Sequence, residues 1–108
     1  MRYPLCSSIV LPVKQYAVNG SRFREHCWHD GADWGIHLGE DIRQRAGTPV
    51  VAIGNGRVVY AAFHPGTSRK RNWGNIVIIG HRHPKTNKTF FSVYGHLDKR
   101  LVRKGMSV

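Results

Sequence analysis

An imidazole and a carboxylate lie four residues apart in the segment 35–42, at His37 and Asp41. A neutral histidine nitrogen and an ionised aspartate oxygen both suit zinc. Helical spacing would place them on one face, but Gly35 and Gly39 each weaken a helix by about 1 kcal/mol relative to alanine. We therefore predict a turn leading into a strand that aims both side chains at one point. Without further context, such a pair is more often a hydrogen-bonded structural contact than a metal site.

Other histidines carry weaker signals. His96 follows a β-rich segment, and by itself it predicts a strand-end side chain satisfied by the backbone. His81 and His83 spell His-x-His directly before Pro84, which predicts a surface pair where a strand enters a loop. No motif includes His26, His29 or His64.

The elements that must position these groups are strands. Three segments are rich in β-branched and aromatic residues and are bounded by turn formers: 57–63, 75–79 and 89–94. A Gly-Asn-Gly turn at 54–56 predicts a tight hairpin from a further strand at 50–53. No segment favours a helix of ordinary length, so we predict an all-β fold, a compact antiparallel sheet or sandwich.

Length and composition limit the classes of protein. The 108 residues suffice for one domain, and 41% hydrophobic with 21% charged residues is typical of a folded chain. No apolar run reaches the length of a membrane span, and the first residues contain no export signal. Cys6 and Cys27 allow either one disulfide or two inert thiols.

The net charge of +11 favours polyanionic partners: nucleic acid, acidic wall polymers or an anionic membrane surface. The densest basic patch, residues 68–73, ends in Trp73, which could stack on a base or a sugar ring or pack on the core. A solvated basic surface without a specific partner explains the charge equally well.

The motifs in sequence order narrow these alternatives. They are Gly35-x-His37-x-Gly39-x-Asp41, Gly47-Thr48-Pro49-Val50-x-Ala52, Gly56-x-Val58-x-x-Ala61, Trp73-Gly74-Asn75-x-Val77-x-Ile79 and Tyr94-Gly95-His96-Leu97. Their order and separations closely resemble those of the lysostaphin/LytM-type metallopeptidases, over residues 31–108.

The resemblance implies an antiparallel β-sheet core of the duplicated-hybrid-motif, or barrel-sandwich, type. It implies that His37 and Asp41 are zinc ligands and that His96 assists the metal-bound water. It also implies a division into a lead-in segment, 1–30, and a peptidase core, 31–108. In this family a third ligand and a second catalytic histidine come from a later His-x-His strand.

The sequence departs from this pattern at its end. Only twelve residues follow His96, whereas the family's His-x-His lies a few tens of residues further on. The pair His81 and His83 precedes His96, so it does not supply the missing motif. We therefore expect a C-terminally truncated copy whose last strands are missing and whose metal site is incomplete.

Three functions follow as hypotheses. The first is a zinc endopeptidase that cleaves peptidoglycan, whose basic surface favours the anionic wall. The second is a catalytically inactive binding or regulatory module of the wall. The third is a basic nucleic-acid-binding domain, which would leave His37 and Asp41 without a role. By analogy with the family the location is extracellular or periplasmic, and the sequence leaves the oligomeric state open.

Overall fold

The computed structural model describes residues 2–29, 32–67 and 72–108. It contains five strands: β1 (His26–His29), β2 (Ala32–Ile36), β3 (Arg57–His64), β4 (Gly74–Arg82) and β5 (Thr89–Leu97). They form two antiparallel sheets, one of β1 and β2 and one in the order β3-β4-β5. The described residues form no helix, and therefore none long and apolar enough to cross a bilayer. The predicted all-β fold is confirmed.

The three-stranded sheet comes from the three segments that the sequence predicted as strands. β4 is central, so both of its edges are paired, and its side chains Ile76, Val77 and Ile79 are buried. Val58 of β3 is 1% exposed and joins Val77 and Ile79 in the core cluster. Because β-branched side chains pack well on a pleated surface, this cluster is what stabilises the sheet.

The N-terminal segment is part of this sheet. The amide of Cys6 donates to the carbonyl of Arg82 at 3.0 Å, and the amide of Arg82 donates to Pro4 at 3.0 Å. The Tyr3 ring lies so close to Gly80 that a Cβ there would be 2.7 Å from the ring. Residues 3–6 thus extend the sheet along the end of β4, beyond the point where β3 begins.

Cys6 and Cys27 are both free thiols. Of the two alternatives that the sequence allowed, two thiols is therefore correct and the disulfide is not. Cys6 is 1% exposed, and its burial raises the pKa of its thiol. The thiol therefore keeps its proton and donates to the carbonyl of Asn55, with 3.2 Å between Sγ and O. Such a buried, protonated thiol is a packing residue and not a reactive one.

The predicted hairpin at 50–56 was wrong, because residues 50–53 form no strand with β3. Instead Val10 donates its amide to Ile53 at 2.8 Å, and Val51 donates its amide to Pro12 at 2.9 Å. The side chain of Asn55 accepts from the Ser7 amide at 2.9 Å. Residues 10–12 of the N-terminal segment thus form the backbone hydrogen bonds that the predicted hairpin would have formed.

The prediction of a surface pair at His81 and His83 was wrong for His81, which is 0% exposed. Its Nδ1 lies 2.8 Å from the Asn55 carbonyl oxygen, and its Nε2 lies 2.7 Å from Ser92 Oγ. The ring stacks on Phe90 with 4.7 Å between centroids. The prediction that a strand ends here is confirmed, because β4 ends at Arg82.

The partners of His81 fix where its protons lie. The Asn55 carbonyl can only accept, so Nδ1 carries a hydrogen. The other ring nitrogen, Nε2, is paired with the Ser92 hydroxyl. The Ser92 hydroxyl also donates to the Tyr94 oxygen, 2.7 Å away, and the Tyr94 oxygen accepts from the Ile53 amide at 3.0 Å. Each of these polar groups therefore has a hydrogen-bond partner.

Replacing His81 by alanine should destabilise the protein strongly. The change opens a cavity and removes the hydrogen bonds that the ring makes to Asn55 and Ser92, which together cost about 3 kcal/mol. His83→Ala is the matched control, because His83 is only half-buried, and it should cost about 1 kcal/mol or less. The measurement is urea unfolding of both variants. Equal losses for the two would contradict the buried network.

Candidate metal and catalytic site

The sequence had predicted a turn leading into a strand at this point, and the order is the reverse. His37 is the first residue beyond β2, so the strand comes before the site. The backbone continues the pairing of the β1–β2 hairpin by one step. His37 donates its amide to Glu25 at 2.8 Å, and Arg24 donates its amide to His37 at 2.8 Å. This pairing fixes the direction in which the His37 side chain leaves the backbone.

Asp41 is held from residues 19–21. Its amide donates to the Ser21 carbonyl at 2.9 Å, and its own carbonyl accepts from the Asn19 amide at 3.1 Å. The Ser21 amide donates to Oδ2 of Asp41 at 3.0 Å. Gly20 has no room for a side chain, because a Cβ there would lie 2.5 Å from Cβ of Asp41. One carboxylate oxygen is therefore anchored, while Oδ1 faces His37.

The structure brings the two predicted ligands together. His37 Nε2 lies 3.1 Å from Asp41 Oδ1, and the side chains are 25% and 36% exposed. Two zinc bonds of about 2.0–2.1 Å that meet at a tetrahedral angle separate their donor atoms by about 3.3 Å. The observed separation therefore suits two ligands of one zinc ion that is reachable from solvent.

The partner of the other ring nitrogen of His37 is compatible with the same fit. Its Nδ1 lies 3.2 Å from the carbonyl oxygen of Arg22, which can only accept, so Nδ1 carries a hydrogen. Nε2 then faces a carboxylate oxygen, which also accepts only. A proton or a metal cation must lie between them, and a carbonyl on the far nitrogen is the usual outer partner of a metal-binding histidine.

His96 lies on a different element, at the end of β5. Its side chain is exposed, and its backbone has a φ of 55°, in the left-handed region that non-glycine residues rarely adopt. The imidazole stacks on Trp73 with 6.1 Å between ring centroids and an interplanar angle of 21°. Within the described residues, no hydrogen bond or ion pair joins His96 to His37 or Asp41.

The structure does not complete a metal centre. Over residues 2–29, 32–67 and 72–108, no three or more His, Cys, Asp or Glu side chains form a group that could hold a metal ion. The roles of His37 and Asp41 as ligands, and of His96 as an assisting group, thus stay predictions. The basic residues at 68–71 lie outside the described residues.

Several contributors to the site had no signal in the sequence. Ser21 and Arg22 act through their backbone groups, which any residue type could supply. Next to Asp41, Glu40 accepts a hydrogen bond from the Tyr16 hydroxyl at 3.2 Å. Burial first, and then the Glu40 carboxylate, raise the pKa of Tyr16, so its hydroxyl keeps its proton.

A cavity of about 380 Å³ lies beside Tyr16 and Glu40. Its lining is mostly apolar and includes Ile9, Val10, Leu11, Ile42 and Val93 together with Tyr16 and Glu40. Glu40 and Ile42, the chain neighbours of Asp41, line the cavity, whereas the candidate ligands His37 and Asp41 do not.

The sequence pattern of peptidase family M23 matches residues 35–108, well over half of the chain. The chain belongs to peptidase family M23. The match includes His37, Asp41 and His96 and confirms the resemblance stated from the motifs. No solved structure matches this M23 chain significantly.

Relatives of this M23 chain are named as lipoproteins, as murein hydrolase activators and as a peptidoglycan endopeptidase. The lipoprotein NlpD/LppB homologue of Pseudomonas aeruginosa is 41% identical over 73 residues, 68% of this chain and 21% of that protein. The murein hydrolase activator NlpD of Escherichia coli is 37% identical over 78 residues, 72% and 18% of the two chains. The peptidoglycan DD-endopeptidase ShyA of Vibrio cholerae is 39% identical over 72 residues, 67% and 14%. The alignments thus span about a fifth or less of each relative.

Zinc should bind this chain weakly. Two protein ligands leave most of the coordination sphere to water, so we expect a Kd of about 10 μM or weaker, measured by competition with a chromophoric chelator. His37→Ala should abolish even this binding. His64→Ala is the control, because His64 is paired with the Tyr60 hydroxyl and should bind as the parent does. Tight stoichiometric zinc that survives His37→Ala would place the site on other residues.

Proposed function

We propose that this M23 domain is a zinc-dependent endopeptidase that cleaves peptide bonds of peptidoglycan. The observation that carries the proposal is the pair His37 and Asp41, whose facing atoms are 3.1 Å apart and need a cation or a proton between them. A relative named as a peptidoglycan DD-endopeptidase aligns over 67% of the chain. Because the alignment includes only 14% of that protein, the same activity is a proposal for this chain.

In this proposal His37 Nε2 and Asp41 Oδ1 would hold a zinc ion, and at least one further ligand would come from outside this pair. Zinc bound there would lower the pKa of a coordinated water and polarise the scissile carbonyl. The Arg22 carbonyl keeps the His37 ring in the tautomer that leaves Nε2 free to bind. Ser21 holds the carboxylate of Asp41 in place through Oδ2.

His96 acts in this proposal as the proton-transfer group. Its exposed imidazole would accept the proton lost by the attacking water, or donate a hydrogen bond to the carbonyl oxygen on which negative charge develops. The stacked Trp73 ring limits how far the imidazole can rotate. The cavity of about 380 Å³ beside Glu40 would take an apolar side chain of an extended peptide.

A second candidate is a catalytically inactive peptidase-like module that binds or regulates at the wall. Two observations favour it. No three-residue metal group forms within the residues that the structure describes, and a relative over 72% of the chain is named a murein hydrolase activator. Other relatives are named lipoproteins, so for both candidates we propose an extracytoplasmic location at the wall. A nucleic-acid-binding function would leave His37 and Asp41 unexplained.

Cleavage of purified sacculi separates the two candidates. The protein that contains this chain is incubated with sacculi and zinc, and released peptides are identified by mass spectrometry. If it is an endopeptidase, Asp41→Ala should lose both zinc and activity, whereas His96→Ala should keep zinc and lose about 10²–10⁴-fold in rate. His83→Ala, outside the site, should keep both. Binding to sacculi without any released peptide would reject the endopeptidase and support the module.

Binding to sacculi should weaken with salt if the basic surface contributes, because screening shortens the range of the attraction. Reversing Arg69, Lys70 and Arg71 to glutamate should weaken binding further. The matched control reverses Lys99, Arg103 and Lys104, which lowers the net charge by the same amount. Pull-down over a salt series compares the variants. Equal weakening by both would assign the effect to net charge, and no weakening by either would make the charge irrelevant to the wall.

A further inference from the structure

His96 lies in a bulge between β4 and β5. Asn75 pairs with Leu97 and Val77 pairs with Tyr94, so two steps along β4 face three steps along β5. The extra length is taken up around Gly95 and His96, where the φ of His96 is 55°. Bulges of this kind redirect a side chain relative to the regular alternation of a strand. The exposed orientation of the imidazole therefore depends on the bulge.

Trp73 holds the bulge on one side. Its carbonyl accepts a hydrogen bond from the His96 amide at 2.8 Å, and its indole stacks on the His96 ring with 6.1 Å between centroids. The indole occupies the space where a side chain of residue 95 would lie, because a Cβ on Gly95 would be 2.5 Å from Cε3 of Trp73. Glycine at 95 is thus what lets the indole reach this position.

Asn75 holds the chain directly after the bulge. Its Nδ2 donates to the carbonyl of Leu97 at 3.1 Å and to the carbonyl of Asp98 at 3.0 Å. Its Oδ1 accepts from Nε of Arg100 at 3.0 Å. The side-chain amide of Asn75 therefore makes all three of its hydrogen bonds to residues that follow His96. These bonds are additional to the backbone pairing of β4 with β5.

We propose that Trp73 and Asn75 are positioning residues for His96: together they hold the bulge in the left-handed conformation that presents the imidazole. Trp73 fixes the ring and the amide of His96, and Asn75 fixes the two carbonyls after it. A strained backbone conformation such as that of His96 persists only where the surrounding residues hold it in place. In this proposal the side chains of Trp73 and Asn75 do so. The catalytic meaning of this arrangement depends on the proposed function, but the arrangement itself does not.

The first test measures the histidine rings by NMR in the 108-residue protein, free of metal and substrate. Trp73→Leu should shift the His96 ring protons downfield, because the ring current of the stacked indole is lost. Asn75→Asp keeps the size and the acceptor but loses both donors, so the backbone signals of 95–98 should move away from the left-handed conformation. Phe91→Leu is the control, since Phe91 is exposed on the same strand and packs on Tyr3 instead. It should leave His96 unchanged.

Unchanged His96 signals in both Trp73→Leu and Asn75→Asp would overturn the proposal. Should Trp73→Leu fail to fold, Trp73→Phe keeps an aromatic ring and should give a smaller shift in the same direction. A similar shift in Phe91→Leu would also count against it, because the effect would then be general loosening of β5.

The second test applies where the parent protein cleaves sacculi. Both variants should lower kcat by roughly 10²-fold, the usual cost of misplacing a catalytic group by about 1 Å, with KM and zinc content unchanged. In a His96→Ala background neither should cause further loss. Additive losses would overturn the proposal. A parent without activity would contradict the proposed function and leave the NMR test to decide on the positioning residues.

Discussion

A buried imidazole must have both of its ring nitrogens paired, and much of the fold around β4 depends on meeting that requirement at His81. The Asn55 carbonyl takes one nitrogen and the Ser92 hydroxyl the other. The same carbonyl also accepts from the Cys6 thiol, which connects the N-terminal segment to this point. Because an unpaired group here would cost free energy comparable to several surface contacts, the turn at 54–56 and strand β5 are both held in register against β4.

The same reasoning gives the opposite result at His37. There one ring nitrogen is satisfied by the Arg22 carbonyl, but the other faces a carboxylate oxygen that has no hydrogen to give. The protein thus completes the hydrogen bonds of His81 internally and leaves a position for a cation or proton at His37. The third histidine, His96, is presented by a strained backbone and a stacked indole instead of by buried partners. Three histidines in one small fold therefore have three different physical environments.

The sequence predicted what depends on residue type at short range. The runs at 57–63, 75–79 and 89–94 became β3, β4 and β5 because their β-branched and aromatic side chains fit a pleated, half-buried surface. The spacing of His37 and Asp41 correctly indicated that they meet. The hairpin at 50–56 failed because backbone groups of residues 10–12 compete for its hydrogen bonds, and backbone groups carry no signature in the sequence. The prediction that His81 lies on the surface failed for the same reason, because one of its two hydrogen-bond partners is the backbone carbonyl of Asn55.

The contacts of the N-terminal segment also bear on what should be treated as one folding unit. The family match begins at residue 35, yet Cys6 lies in the interior and the ring of Tyr3 fills the space over Gly80. A fragment cut at the boundary of the family match would expose the end of β4 and leave His81 without its covering layer. Transfer of this peptidase module between proteins, in evolution or in engineering, would therefore have to include a lead segment that lies outside the family match.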